Sequence, residues 1–279
     1  METRVKHFLC ALLCTSLLLI ANLSPAQADT STTITSPATV ASPAFEILAE
    51  RTHKPSLFTQ GLLVDGDHFY ESSGLYNQSL LVTYPIAEPA STWAKISAPF
   101  TKKQSLPARY FAEGLALVDD KLYLLTWMEE TLLIYDKATL NYQKSISYKG
   151  EGWGLTTDGK QLIRSDGSDT LYFHNTSDFA VTKELKVTDA GIAVTQLNEL
   201  ELAQGYIWAN IWHSDYIVKI NPDNGHVVKR IDLSPLKQNL KLTNSEQVLN
   251  GIAWDEKQNA FWVTGKNWPK MFLIRMNDN

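Results

Sequence analysis

A short unit that opens on a polar or aromatic residue just ahead of an apolar run recurs five times in this chain of 279 residues, and few folds accommodate such a repeat. The openings are QGLL at Gln60, EGLA at Glu113, WGLT at Trp153, NELE at Asn198 and NGIA at Asn250. Taken at Gly61, Gly114, Gly154, Leu200 and Gly251, they stand 53, 40, 46 and 51 residues apart. Each unit reads strand, turn, strand, turn, strand, as in GLALVDDKLYLLTWMEETLLIYDKAT from Gly114. Periods of about 40 to 50 residues with several strands each are the mark of propeller blades. YQKSISY (Tyr142 to Tyr148), TKELKV (Thr182 to Val187) and VVKRIDL (Val227 to Leu233) are expected as outer fourth strands. The fifth unit has no room for one before Asn279, whereas FEILAERTH from Phe45 is a strand without a unit. A β-sandwich or a pair of barrels also consists of short alternating strands. One orphan strand at the start and one missing at the end favour an all-β, five-bladed β-propeller, closed by the N-terminal strand pairing into the last blade. Such closure protects the edges an open array would expose. The repeated openings would then converge on one end of the central channel, with Glu113 as the candidate acid or base.

The first residues obey different rules. Arg4, Lys6 and His7 precede an apolar run from Phe8 to Ala21, and Ala26-Gln27-Ala28 is a small-residue cleavage pattern. Residues 1–28 are therefore expected to be a secretory signal peptide, with export to a periplasm or to the medium. The run is too short for a comfortable span, and no later segment reaches spanning length. Residues 29–43 form a Ser/Thr/Ala/Pro tract without periodicity, expected as a disordered leader, and 44–279 as the propeller domain. Both cysteines, Cys10 and Cys14, fall within the signal, which excludes disulfides, thiol nucleophiles and thiolate metal sites from the mature chain. Cleavage would leave 29 acidic against 23 basic residues, a net charge of −6. No basic patch with interleaved aromatics points to nucleic acid.

FTQGL, YESSGLYNQS, FAEGL, GWGLTTDG, LNELE, ANIW, VLNGIAWD and TGKNWP, in this order and spacing, closely resemble the glutaminyl cyclases of the plant and bacterial type. The resemblance runs from about Phe45 to the C-terminus. It implies a five-bladed propeller that converts the N-terminal glutamine of a peptide or protein into pyroglutamate with release of ammonia. The α-amine attacks its own γ-carboxamide carbon, so the reactants are tethered and no enzyme nucleophile is needed. One carboxyl group that takes a proton from the amine and returns it to the departing ammonia serves both steps. The resemblance gives that role to Glu113. It also assigns Lys266 and Asn198 to binding and polarising the γ-amide. A cationic Lys266 close to Glu113 would tend to keep that carboxylate ionised. Phe58, Phe111, Trp127, Trp153 and Trp212 fill the family's aromatic positions and would wall the substrate pocket. Gln60 is placed with the substrate-binding residues, and Asn250 stays open between binding and bracing. Trp93, Trp208, Trp254, Trp262 and Trp268 are read as structural.

His53, His68, His174, His213 and His226 show no paired ligand spacing, so no metal is expected in catalysis and no cofactor is required. A structural divalent cation held by carbonyls on the propeller axis would leave no trace in the sequence. Two rivals stay open. A metal-dependent propeller lactonase or similar hydrolase could use Glu113, Asn198 and Asn250 as ligands, although Lys266 would oppose the ion. A non-catalytic propeller could use the aromatics as a recognition face. The expected partner is a peptide or protein with N-terminal glutamine, and the expected state a monomer.

Overall fold

The computed structural model describes residues 44–87 and 100–277. The expected signal peptide and leader, and Trp93, lie outside the described residues. Strand β1 (Phe45–Thr52) comes first, followed by blade one: β2 (Thr59–Asp65), β3 (His68–Ser73), β4 (Leu80–Pro85) and β5 (Lys102–Ser105). Blade two comprises β6 (Ala112–Val118), β7 (Lys121–Thr126), β8 (Thr131–Asp136) and β9 (Tyr142–Ser147). Blade three comprises β10 (Leu155–Thr157), β11 (Gln161–Arg164), β12 (Thr170–Asn175) and β13 (Val181–Lys186). A small hairpin, β14 (Thr188–Asp189) and β15 (Ile192–Ala193), leads to blade four: β16 (Leu197–Ala203), β17 (Tyr206–Ile211), β18 (Tyr216–Ile220) and β19 (Val227–Asp232). After a short 3-10 turn at Ser234–Lys237 come β20 (Leu249–Asp255), β21 (Ala260–Gly265) and β22 (Lys270–Met276). The last sheet has the order β1-β22-β21-β20, so the N-terminal strand supplies the fourth strand of blade five and closes the ring. This is the expected five-bladed propeller. The hairpin and the 3-10 turn have no counterpart in the repeat and escape a reading based on it.

Strands inside the blades are apolar at consecutive positions because both faces of each sheet are covered. In β8, Leu133 and Tyr135 pack toward blade one while Leu132 and Ile134 pack toward blade three. The core is accordingly divided into wedges, one between each pair of neighbouring blades. Outer strands face solvent on one side and carry lysines, as in KKQS of β5 and TKELK in β13, which blunts their free edges.

The ring-closing seam holds a buried polar cluster. His53, just after β1, contacts the Glu71 carboxylate at 3.0 and 3.2 Å through Nε2, while its Nδ1 lies 2.8 Å from the backbone oxygen of Trp268. Glu71 also accepts from Thr59 Oγ1 at 2.7 Å and the Tyr84 hydroxyl at 2.5 Å. One carboxylate thus ties three strands of blade one to the segment joining it to blade five.

Inner strands approach each other so closely that at Gly114 there is no room for a side chain. A Cβ at Gly114 would lie 2.3 Å from the backbone nitrogen of Leu155 in the next blade. In blade four this position belongs to Glu199, not to Leu200 as the sequence repeat implies. The ladder of β6 is interrupted between Ala112 and Leu115, and that of β16 between Leu197 and Leu200. Glu113-Gly114 therefore corresponds to Asn198-Glu199. The Glu199 side chain accepts from the backbone N–H of Leu62 at 3.2 Å and of Ile252 at 2.7 Å, linking the inner strands of blades four, one and five.

Candidate active site

The same interruptions create the site. A β-bulge opposes two residues to one and re-aims a side chain that the pleat would send to a sheet face. Gln60, Glu113, Asn198 and Asn250 all fall within such irregularities at the start of inner strands. Buried polar groups on or just after second strands brace three of these bulges from the preceding blade. Ser72 Oγ donates to Glu113 O at 2.5 Å, Ser165 Oγ donates to Asn198 O at 2.7 Å, and Asn210 Oδ1 accepts from Gly251 N at 3.0 Å. A second set of residues arrives where second strands end. Trp127, Trp212 and Lys266 each follow immediately after β7, β17 and β21.

These two sets line one cavity of about 330 Å³, which holds Gln60, Glu113, Asn198 and Lys266 together with Phe58, Phe111, Trp127, Trp153 and Trp212. All nine sequence-predicted site residues are thus brought together. Asn250 is adjacent but does not line the cavity.

Glu113 is 5 % exposed, and its Oε1 accepts from Gln60 Nε2 at 2.8 Å. Burial pushes its carboxyl well above the ordinary range; Lys266 pulls the other way, and Glu151 and Glu129 add to the rise. Lys266 does favour the ionised form of Glu113, as expected, while desolvation in this enclosed site acts against it and is the larger effect. Lys266 is itself lowered by burial, against the pull of Glu113 and Glu246. Its Nζ sits 4.8 Å from the centre of the Phe58 ring. Asn198 keeps an unspent acceptor, since its buried Oδ1 has no hydrogen-bond partner.

The aromatic wall is built edge to face. Phe111 meets Phe58 at 6.3 Å, Trp127 at 5.6 Å and Tyr76 at 5.3 Å between ring centres, and Trp153 meets Trp212 at 5.4 Å. Glu151 Oε2 accepts from the indole N–H of Trp127 at 2.8 Å and of Trp153 at 2.9 Å, joining the two groups. Gly167, at φ +81°, seats the Trp153 ring: a Cβ there would come within 2.7 Å of it.

Leu75, Glu246 and Glu151 are site or supporting residues that the sequence reading missed. Leu75 and Glu246 come from loops outside the inner-strand repeat, whereas Glu151, two residues before Trp153, had a usable signal in GEGWGL. Trp268 is fully buried and donates to Gln247 O at 3.0 Å, away from the cavity, and Trp208 and Trp262 are likewise core residues. Trp254 is half-buried and packs on Phe261. Among the described residues, no three His, Cys, Asp or Glu side chains converge as a metal-ligand set, and no helix is long and apolar enough to cross a membrane.

A family model described as glutamine cyclotransferase matches residues 16–276. The chain belongs to the glutamine cyclotransferase family. A glutaminyl-peptide cyclotransferase of Arabidopsis thaliana is 38 % identical over 235 residues, which cover 83 % of this chain and 71 % of that protein. The crystal structure of Myxococcus xanthus glutaminyl cyclase superposes with a TM-score of 0.76 at 38 % identity, covering 84 % of this chain and 98 % of the other. For this glutamine cyclotransferase family member, both relatives match over most of its length.

Proposed function

We propose that this cavity binds the N-terminal glutamine of a peptide or protein and closes it to pyroglutamate, with Glu113 carrying one proton from the α-amine to the leaving ammonia. Family membership supports the reaction. The observation that supports the assignment of roles is the environment of Glu113, a buried carboxylate with one side-chain donor in an aromatic cavity beside a buried lysine.

A peptide N-terminus has an ordinary pKa near ~7.7–8 and arrives largely as an ammonium. Burial raises the carboxyl and lowers the amine, so proton transfer between them inside the cavity needs little driving force. The free amine then attacks the γ-carbon, and the C–N bond of the ring forms as negative charge collects on the former amide oxygen. Lys266 stabilises that oxyanion. Asn198 Oδ1 accepts from an N–H of the substrate, filling its unspent acceptor. Glu113 returns its proton to the amide nitrogen, the old C–N bond breaks, and the ring nitrogen passes its surplus proton to the departing ammonia, which leaves as ammonium with no net change on the enzyme. The aromatic wall excludes water and holds the side chain in the folded-back form that places amine and carbonyl in contact. No step requires a metal or cofactor.

The test is incubation of the mature protein with a Gln-initiated peptide, with and without chelator, following ammonia and loss of the free amine. Cyclisation that resists chelator is expected. Well-folded protein that turns over none of several Gln peptides would sink the proposal, and chelator-sensitive hydrolysis of a lactone would favour the metallohydrolase. The same reading places the enzyme in the periplasm or the medium as a monomer. Cell fractionation of the full chain against one starting at Asp29, with sedimentation of the exported product, checks both points.

A further inference from the structure

Asn250 is fully buried and occupies in blade five the bulge position that Glu113 holds in blade two. Its Nδ2 donates to the backbone oxygen of Thr59 at 2.9 Å and to Gln60 Oε1 at 3.2 Å. Gln60 in turn donates from Nε2 to Glu113 Oε1 at 2.8 Å. The polarity of this relay is set at its far end. A peptide carbonyl only accepts, so Thr59 O fixes the nitrogen of the Asn250 amide toward itself. That nitrogen can then face only the oxygen end of the Gln60 amide, which turns the Gln60 nitrogen toward Glu113.

We infer that Asn250 is a positioning residue for the cyclisation: acting through Gln60, it holds Glu113 Oε1 as a permanent hydrogen-bond acceptor, so that Oε2 is the oxygen that takes up and returns the proton. The inference rests on the shuttle role proposed above for Glu113. An unpolarised glutamine amide could present either end. With its oxygen toward Glu113 it would stabilise the protonated carboxyl and direct that proton at Gln60 instead of the substrate. The other groups acting on Glu113 are Lys266, Glu151 and Glu129, with Tyr76 and Tyr148 also within its electrostatic reach. None of them bonds to Asn250, so a change there reaches Glu113 through Gln60.

The test is a double-mutant cycle on the pH profile of kcat/KM for a Gln-initiated peptide, using Asn250→Asp, Asn250→Ala and Gln60→Leu singly and in pairs. Asn250→Asp replaces a donor by an acceptor and reverses the Gln60 amide. It should lower kcat/KM about tenfold or more and move the acid limb to higher pH. Asn250→Ala should cost less, about threefold, because either amide orientation is then populated. In the Gln60→Leu background neither substitution should have a further effect. A shift of equal size in that background would show that the added charge acts directly and overturn the relay, as would an unchanged profile for Asn250→Asp. If Asn250→Asp does not fold, the Asn250→Ala pair decides: a loss with Gln60 present and none without it supports the relay, and equal losses refute it. Glu113→Gln, measured in the same series, separates the layers. Near-native turnover there would remove both the shuttle and the relay, whereas inactive Glu113→Gln with non-coupled Asn250 and Gln60 would remove the relay alone.

Discussion

Glu71 and Glu113 are both buried carboxylates, and burial pulls both upward, yet their acidities move in opposite directions. Around Glu71 the His53 ring, Tyr84 and Thr59 outweigh desolvation, and the carboxyl is held below the ordinary range. Glu113 has one side-chain donor, Gln60, and a lysine whose pull is weaker than burial. Glu199 has more fixed donors than Glu113 and fewer than Glu71: two backbone N–H groups hold it, and burial still raises it well above the ordinary range. The difference lies in how fully each charge is satisfied by fixed donors. A carboxylate with every lone pair engaged is a structural clasp, whereas one left partly unsatisfied inside a cavity is poised to exchange a proton with whatever enters.

The comparison breaks most visibly if the clasp is removed. Glu71→Ala leaves His53, Thr59 and Tyr84 facing an unfilled hole and should cost about 3–5 kcal/mol of stability. Calorimetry should show a fall in Tm on the order of 10 °C. The folded fraction should still cyclise a Gln peptide within about threefold of the native rate; a rate collapse without a fall in Tm would erase the distinction between the two carboxylates. Next in size is Lys266→Met, which keeps the buried volume and removes the cation. A loss of about 10²-fold in kcat is expected, by analogy with removing one donor to a developing oxyanion. A change confined to KM would reassign Lys266 to binding alone.

The smallest effect sharpens the contrast through pH. Glu113 is raised in the folded state, so its contribution to stability is complete below the ordinary carboxylate range and is lost as pH rises through its folded value. Glu71 is lowered, so its contribution is present above that range and is lost as pH falls through its folded value. Chemical denaturation across pH should therefore find Glu113→Gln increasingly favoured over the native protein as pH rises. Glu71→Gln should remove part of the acid-induced loss of stability. Parallel curves for the two variants would contradict the opposite shifts.

Much of this was legible in the sequence, for reasons that particular residues display. Blades could be recognised because a sheet covered on both faces writes runs such as KLYLLT and TLLIYD between turns, and because FEILAERTH had no other place to pair. Glu113 stood out because EGL recurs in register with QGL and WGL. Register in blade four was misread by one residue. The bulge that aims Asn198 into the cavity puts Glu199 where other blades have glycine, and apolar periodicity does not reveal a bulge. The pull of Lys266 on Glu113 was legible in the residue types, whereas the burial that opposes it was not. Glu151, which holds two indoles with one oxygen, was passed over because its partners Trp127 and Trp153 belong to different blades.

The central claim is that Glu113 moves the proton and does not merely hold the fold. Glu113→Gln preserves size and can still accept from Gln60, but it cannot take up a proton from an amine. Ammonia release from a Gln-initiated peptide by this variant, beside a melting curve, tests the claim most directly. Turnover lower by about 10²–10⁴-fold with an unchanged or higher Tm is the predicted result. Near-native turnover in a folded variant would contradict it.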